Sequence, residues 1–264
     1  MKREVSSHIT ATITEPSELV LSIAVAVGTP LVDERLTATL DGAPLELREI
    51  VDAHGTRLHV VETGTGEFDV TYHAVSDGYA PPRIVEDAER IRYLRPSRYC
   101  ESDTLAPTAA AEFHGLQGAQ LLDAVSSWVG TNLAYVSGSS QPTDGAIQTL
   151  LSRQGVCRDF AHLVVALLRA REVPARVVSV YAPGLEPMDF HAVAEAAIDE
   201  KWCVVDATTL APRGSMLRIA TGRDASDTAF LTNQSGAITL NSLEVMATVG
   251  QLPEDDVTRL VCLR

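Results

Sequence analysis

Three residues that together could carry out acyl transfer occur in order along the second half of the chain: Cys157, His191 and Asp206. A cysteine attacks a carbonyl carbon as its thiolate, and it needs a base within hydrogen-bond reach. A third group usually orients that base. We therefore take Cys157 as the candidate nucleophile, His191 as the candidate base and Asp206 as the candidate orienting carboxylate.

The segment from Cys157 to about Arg171 has the apolar spacing of one helical face. That face comprises Phe160, Leu163, Val164, Leu167 and Leu168. Free backbone N–H groups at a helix N-terminus favour a thiolate, and the N–H of Cys157 could face a developing oxyanion. Gly155, just before the helix, allows a sharp turn and leaves the backbone beside the sulfur uncovered. The spacing thus predicts a nucleophile at a helix start.

The segments that carry His191 and Asp206 have the composition of strands, and a tight turn lies between them at Asp199 to Lys201. A loop of two residues would pair Ile198 with Lys201, and Val193 with Asp206. Side chains alternate between the faces of a strand, so His191 and Asp206 would then share one face as diagonal neighbours. A loop of three residues would place them on opposite faces.

Other roles for the histidines and cysteines fit the sequence less well. His162 lies on the same helix as the thiol but about 140° around its axis from Cys157, which favours a structural role. Zinc binding by Cys157, His162, His191 or Cys203 matches no common ligand spacing. The four cysteines, which also include Cys100 and Cys262, are expected to be thiols, with Cys203 buried in the core.

Composition limits the class of protein. Of 264 residues, 45% are hydrophobic and 21% are charged, which is typical of a folded globular chain. The net charge of −14 argues against nucleic acid and anionic membranes as partners. No apolar run is long enough to span a bilayer, and no signal peptide is visible, so we expect a cytoplasmic protein. The proposed chemistry requires no cofactor and no metal.

The chain divides into two predicted units. Residues 1–80 contain short β-branched runs separated by turns, which indicates an antiparallel, sandwich-like β domain without catalytic residues. The sequence Asp77 to Pro82 marks the boundary. Residues 81–264 then combine helical and strand patterns, with further strands expected in the C-terminal part. The expected fold class is α+β.

Three stretches resemble the transglutaminase-like superfamily, particularly its bacterial and cysteine-protease-like members. They are GVCRDFAHLVVALLRAREVPARVVSVY (Gly155 to Tyr181), FHAVAEA (Phe190 to Ala196) and KWCVVDATTLAP (Lys201 to Pro212). The resemblance covers roughly residues 90 to 230. It implies a papain-like α+β core, with helices on an antiparallel sheet, in which Cys157, His191 and Asp206 form the catalytic triad.

Two departures from the family pattern lie beside the proposed triad. Val193 stands where relatives often have an aromatic residue, and Ala207 replaces the proline that usually follows the aspartate. The expected function is an amidase, peptidase or transamidase that acts on a peptide or protein amide. The alternative is a catalytically idle peptide- or partner-binding module on the same fold.

Overall fold

The computed structural model covers residues 1–264 and has an α+β fold, as the sequence predicts. In chain order the strands are β1 (Lys2–Leu21), β2 (Leu31–Leu40), β3 (Ala43–Leu45), β4 (Arg48–Val51), β5 (Arg57–Thr63), β6 (Gly66–Asp77), β7 (Ala134–Tyr135), β8 (Gln154–Gly155), β9 (Ala175–Tyr181), β10 (Phe190–Ile198), β11 (Lys201–Val205), β12 (Leu217–Gly222) and β13 (Leu231–Val249). The helices are α1 (Asp87–Arg92), α2 (Ala106–Glu112), α3 (Gly118–Asn132), α4 (Ala146–Ser152), α5 (Cys157–Ala170) and α6 (Ala225–Thr228). None of these helices has the length and apolar character needed to cross a membrane.

The N-terminal part is a seven-stranded antiparallel sheet, bent like half of a barrel. Its longest strand is β1, with 20 residues, and the inward positions alternate with outward ones from Arg3 to Ile13. This alternation buries one face of the strand, as the period of a β-strand requires. Strand β6 pairs with the first part of β1, and β5 pairs with its last part. Strand β13 pairs with β1 over almost the full length of β1.

Strand β13 lies far from the rest of this sheet in sequence. Its partners run from Arg3 opposite Val249 to Leu21 opposite Leu231. One strand of the predicted second unit, residues 81–264, therefore completes the sheet formed by residues 1–80. The boundary near residue 80 stays a prediction.

A separate four-stranded antiparallel sheet has the order β11-β10-β9-β12. Helix α5 packs on one of its faces, where Leu163 and Leu167 join a buried apolar cluster with Ala194 and Val177. The helix is amphipathic in sequence, so burial of its apolar stripe against the small alanines of β10 fixes its position. This packing places the first residue of α5 at one end of the sheet.

Residues 250–264, which we call the C-terminal segment, cover the opposite face of this sheet. Leu263 is buried there with Val193 and Val204. Asp255 of the segment pairs with Arg213 at 2.8 Å, and the Val204 N–H donates to the Val261 carbonyl at 2.7 Å. The segment is thus held by both apolar and polar contacts.

A buried group of charged side chains lies beside β10. Glu195 is fully buried and accepts hydrogen bonds from Arg176 at 2.9 Å and from Arg218 at 2.6 Å. Arg176 also donates to Glu89 of α1 at 2.7 Å, and its guanidinium lies 3.8 Å from the centre of the Trp202 ring. The network therefore joins helix α1 to strands β9, β10 and β12.

Helix α3 approaches the chain just after Asp206 at Gly130. A methyl group on Gly130 would lie 2.7 Å from the backbone oxygen of Ala207, which is closer than carbon and oxygen atoms tolerate. Gly130 therefore permits the close packing that holds the Asp206 region against the helix.

We expect Gly130→Ala to destabilise the protein by about 1–3 kcal/mol, because overpacking outweighs the gain in helix propensity of about 1 kcal/mol. Urea unfolding measures this change, and Thr131→Ala serves as the control at a neighbouring exposed position. A stabilised Gly130→Ala variant would contradict the close approach.

Candidate active site

The turn between β10 and β11 has two residues, as the sequence predicts. Asp199 and Glu200 both adopt left-handed backbone angles, with φ of 46° and 62°. This conformation is typical of the two-residue turns that suit the twist of a hairpin. Ile198 pairs with Lys201, and the register continues to Ala194 opposite Val205. The predicted register is confirmed.

The hairpin brings His191 and Asp206 together. The His191 Nε2 atom lies 3.1 Å from Asp206 Oδ2, and both side chains are buried. The other carboxylate oxygen, Oδ1, accepts from the Thr208 hydroxyl at 2.7 Å and from the Thr208 N–H at 2.9 Å. Asp206 is therefore held by its own turn while it faces the imidazole.

Cys157 is the first residue of α5, as the sequence predicts. The Asp159 carboxylate accepts from the Val156 N–H at 2.8 Å, which satisfies one of the free donors at the helix start. A methyl group on Gly155 would lie 2.7 Å from the Cβ of Asp159. The glycine is therefore required for the close approach of Asp159, which anchors the helix end that carries the thiol.

The Cys157 thiol lies beside the His191 imidazole. Because Nε2 faces Asp206, the remaining ring nitrogen, Nδ1, is available to the sulfur, and it is buried without a hydrogen-bond partner. Cys157 itself is only partly buried, unlike Cys100 and Cys203. A small acyl compound could thus reach a sulfur that has a base next to it.

The electrostatics favour a protonated imidazole. Burial alone would lower the pKa of His191, but the Asp206 carboxylate and the Cys157 thiol outweigh burial and raise the pKa to about 10. Burial raises the pKa of Asp206, yet the nearby His191 and the Thr208 hydrogen bonds lower it overall. At neutral pH this arrangement is an imidazolium between a carboxylate and a sulfur.

Tyr135 is a site residue that the sequence analysis missed. Parallel pairing of Tyr135 with Gly155 brings β7 next to the start of α5, and the Tyr135 ring packs on Phe160. Its hydroxyl group lies beside the thiol and the backbone N–H of Cys157. Partial burial and the neighbouring Cys157 sulfur raise the pKa of Tyr135 to about 12, so its hydroxyl group is a hydrogen-bond donor at neutral pH. No local pattern marks it, because the contact depends on pairing of β7 with β8.

Thr208 was also missed, although a local signal exists. An aspartate followed two residues later by a threonine commonly forms a turn closed by a side-chain hydrogen bond. The structure shows such a turn between Asp206 and Thr208. His162, in contrast, accepts a hydrogen bond from the Ala225 N–H at 3.0 Å, in accord with its predicted structural role.

We expect Thr208→Ala to reduce the reactivity of Cys157 about tenfold, because the freed carboxylate can turn away from His191. Thr208→Ser keeps the hydroxyl group and should stay close to the wild type. The rate of thiol alkylation, followed by mass spectrometry, measures both variants. Equal losses in the two variants would indicate that the threonine methyl group, and not the hydrogen bond, matters.

Comparisons with known proteins show similarity in both sequence and fold. The family model of the transglutaminase-like superfamily matches residues 107–207 of the chain. In structure, the chain is similar to a protein from Cytophaga hutchinsonii described as a "putative cysteine protease": the identity is 32%, the TM-score is 0.88, and the match covers 96% of this chain and 92% of that one.

Sequence similarity alone extends over a shorter region. An uncharacterized protein of Mycobacterium tuberculosis is 28% identical over 179 residues, which covers 54% of this chain and 52% of that protein. A second relative, from Mycobacterium leprae, is 36% identical over 58 residues and covers 22% of this chain and 21% of its own length. The chain thus spans about half the length, or less, of these curated relatives.

Proposed function

The chain belongs to the transglutaminase-like superfamily, and from this premise we propose that it is a cysteine-nucleophile acyl-transfer enzyme that acts on peptide or protein amides. One observation carries the proposal. The Nε2 atom of His191 is hydrogen-bonded to Asp206. Its Nδ1 atom has no hydrogen-bond partner and is available to the partly buried Cys157. A buried, unpartnered ring nitrogen beside a thiol is the arrangement that proton transfer requires.

In the proposed mechanism, the Cys157 thiolate attacks the carbonyl carbon of the amide. His191 then donates the Nδ1 proton to the leaving amine, and a thioester remains on Cys157. Asp206 keeps the Nε2–H hydrogen-bonded, which orients the ring and stabilises its positive charge. In the second half of the reaction, His191 accepts a proton from the incoming amine or water as the thioester is cleaved.

Two donors are available for the oxyanion that forms during attack. The Cys157 backbone N–H lies at the helix N-terminus, and the Tyr135 hydroxyl lies beside it. Hydrogen bonds aimed at developing negative charge lower the barrier because the donors are already oriented. We assign Tyr135 the role of second donor in the proposed reaction.

The partial exposure of Cys157 supports an enzyme over an idle binding module. A binding module would not need a thiol that is open to solvent and next to an imidazolium. A sulfur buried in the core would instead have favoured the hypothesis of an idle binding module. Both hydrolysis and transfer to an amine follow from the same thioester. The balance between them depends on how well the closed site excludes water.

An activated ester tests the proposal without knowledge of the natural substrate. On mixing with p-nitrophenyl acetate, we expect a burst of nitrophenol close to one equivalent, with the acetyl group on Cys157 by peptide mass spectrometry. Cys157→Ser should lose the burst. Addition of a primary amine at constant pH then separates transfer from hydrolysis by the products formed. Acetylation spread over lysines, with no burst, would refute the proposed nucleophile.

We expect Tyr135→Phe to lower the rate of this acylation about 100-fold, as for the loss of other oxyanion donors. The same variant should react with iodoacetamide at nearly the wild-type rate, because alkylation forms no oxyanion. This pair of measurements separates an oxyanion donor from a residue that only shapes the site. Equal loss of both rates would contradict the assigned role.

A further inference from the structure

A second pair of thiols lies outside the proposed active site. The Val204 N–H donates to the Val261 carbonyl at 2.7 Å, which joins β11 to the C-terminal segment. Cys203 directly precedes Val204, and Cys262 directly follows Val261. Each cysteine therefore lies next to one of the two hydrogen-bonded residues. The Cys203 and Cys262 side chains do contact each other.

The two thiols differ in a way that suits stepwise oxidation. Cys203 is buried, and Cys262 is partly exposed. The hydrogen bond from the Cys203 thiol lowers the pKa of Cys262 to about 7, and the same bond raises the pKa of Cys203. Cys262 is therefore the accessible sulfur that ionises near neutral pH, with a resolving thiol in contact with it.

The position of the pair connects it to Asp206. Cys203 lies three positions before Asp206, on the strand that leads to it. Beyond Asp206, a cavity of about 200 Å³ is lined by Asp206 together with Asp255 and Val257 of the C-terminal segment. The C-terminal segment therefore forms one wall of the space next to the Asp206 carboxylate.

We propose that Cys203 and Cys262 are a reversible oxidation site for hydroperoxides, and that their disulfide locks the C-terminal segment in place beside Asp206. The inference does not depend on the proposed acyl-transfer activity. It concerns two cysteines that take no part in that reaction.

The chemistry balances with hydrogen peroxide as the oxidant. The Cys262 thiolate attacks one peroxide oxygen, the O–O bond breaks, and the departing hydroxide takes up a proton to give water and a sulfenic acid. The Cys203 sulfur then attacks the Cys262 sulfur, the S–O bond breaks, and a second water leaves with the Cys203 proton. Two thiols lose two electrons in total, and one peroxide is reduced to two waters.

The test uses the full chain with Cys157→Ser, so that the proposed nucleophile cannot react with peroxide. After brief treatment of the native protein with hydrogen peroxide, free thiols are blocked with N-ethylmaleimide and the protein is digested. We expect a linked pair of peptides that contain Cys203 and Cys262, a loss of about 2 Da from the intact mass measured before alkylation, and full reversal by dithiothreitol. Cys262→Ala in the same background should give no link.

Stability provides a second measurement. A disulfide that closes a loop of this size should raise the melting temperature of the oxidised protein by about 5 °C or more over the reduced one. Amide hydrogen exchange in residues 250–264 should slow on oxidation, because local opening of the segment is then restricted. The Cys157→Ser, Cys262→Ala protein should show neither change.

Three outcomes would overturn the proposal. Oxidation of Cys262 to a sulfinic acid while Cys203 remains a thiol would show that Cys203 does not resolve the sulfenic acid. A link that forms only in urea would show that the native contact does not permit it. A link that forms in the native protein but leaves exchange in residues 250–264 unchanged would show that the segment is not locked.

Discussion

Replacing His191 by alanine is expected to lower the rate at which Cys157 reacts with iodoacetamide at about pH 6 by roughly 100-fold. Alanine removes both the base that can take up the thiol proton and the positive charge that lies beside the sulfur. The rate of the proposed acyl transfer should fall further, by about 10⁴-fold, because the variant also lacks the group that donates and accepts the proton. Brief labelling followed by peptide mass spectrometry reports each cysteine separately.

The control for this experiment is His114→Ala, at an exposed histidine on the surface. Within the same digest, Cys100 should stay unlabelled, because burial raises the pKa of its thiol to about 12. Cys262 should be the nearest competitor, since the Cys203 thiol lowers its pKa. If Cys157 labels no faster than Cys262 and His191→Ala changes nothing, the idle-module hypothesis replaces the proposed enzyme.

Glu195→Gln should have the largest effect on stability, a loss of about 3–5 kcal/mol in the free energy of unfolding at pH 7. The change leaves the interior guanidinium of Arg218 without a carboxylate partner, and Arg176 keeps only the carboxylate of Glu89. Urea unfolding measures the loss. Glu62→Gln, at an exposed position of β5, should change stability by less than about 0.5 kcal/mol and serves as the control.

The effect of Glu195→Gln should depend on pH. Burial raises the pKa of Glu195, but Arg218 and Arg176 outweigh burial and lower it to about 2. Because the folded-state pKa lies below the unfolded value, this carboxylate stabilises the protein fully above about pH 4.5 and progressively less as pH falls toward 2. The difference between wild type and variant should therefore shrink between pH 5 and pH 3. A constant difference would mean that the ion pairs are not its source.

The local parts of the candidate site could be predicted from sequence. The two-residue turn at Asp199 and Glu200 fixed the register between β10 and β11, and alternation then put His191 and Asp206 on one face. The start of α5 at Cys157 followed from apolar spacing in the same way. Both are short-range patterns, in which the residues that decide the geometry lie within a few positions of one another.

Contacts between segments that are distant in sequence were not predictable in this way. Tyr135 reaches Cys157 only because β7 pairs with β8, and each of these strands has just two residues. The partners of Glu195 lie on other strands, and charged residues such as Arg176 and Arg218 are usually expected at the surface. Thr208 differs, because its turn with Asp206 is local and the spacing could have revealed it.

The pairing of β1 with β13 has a consequence for how the protein folds during synthesis. Strand β1 leaves the ribosome long before β13. One full edge of β1 therefore stays unpaired until β13 has emerged, more than 200 residues later. Contacts over such separations form slowly, because a long loop must close before they contribute. A nascent chain would meanwhile expose a 20-residue strand with apolar inward positions, which is prone to pair with other chains. Rapid dilution from denaturant should therefore give aggregates that decrease at low protein concentration.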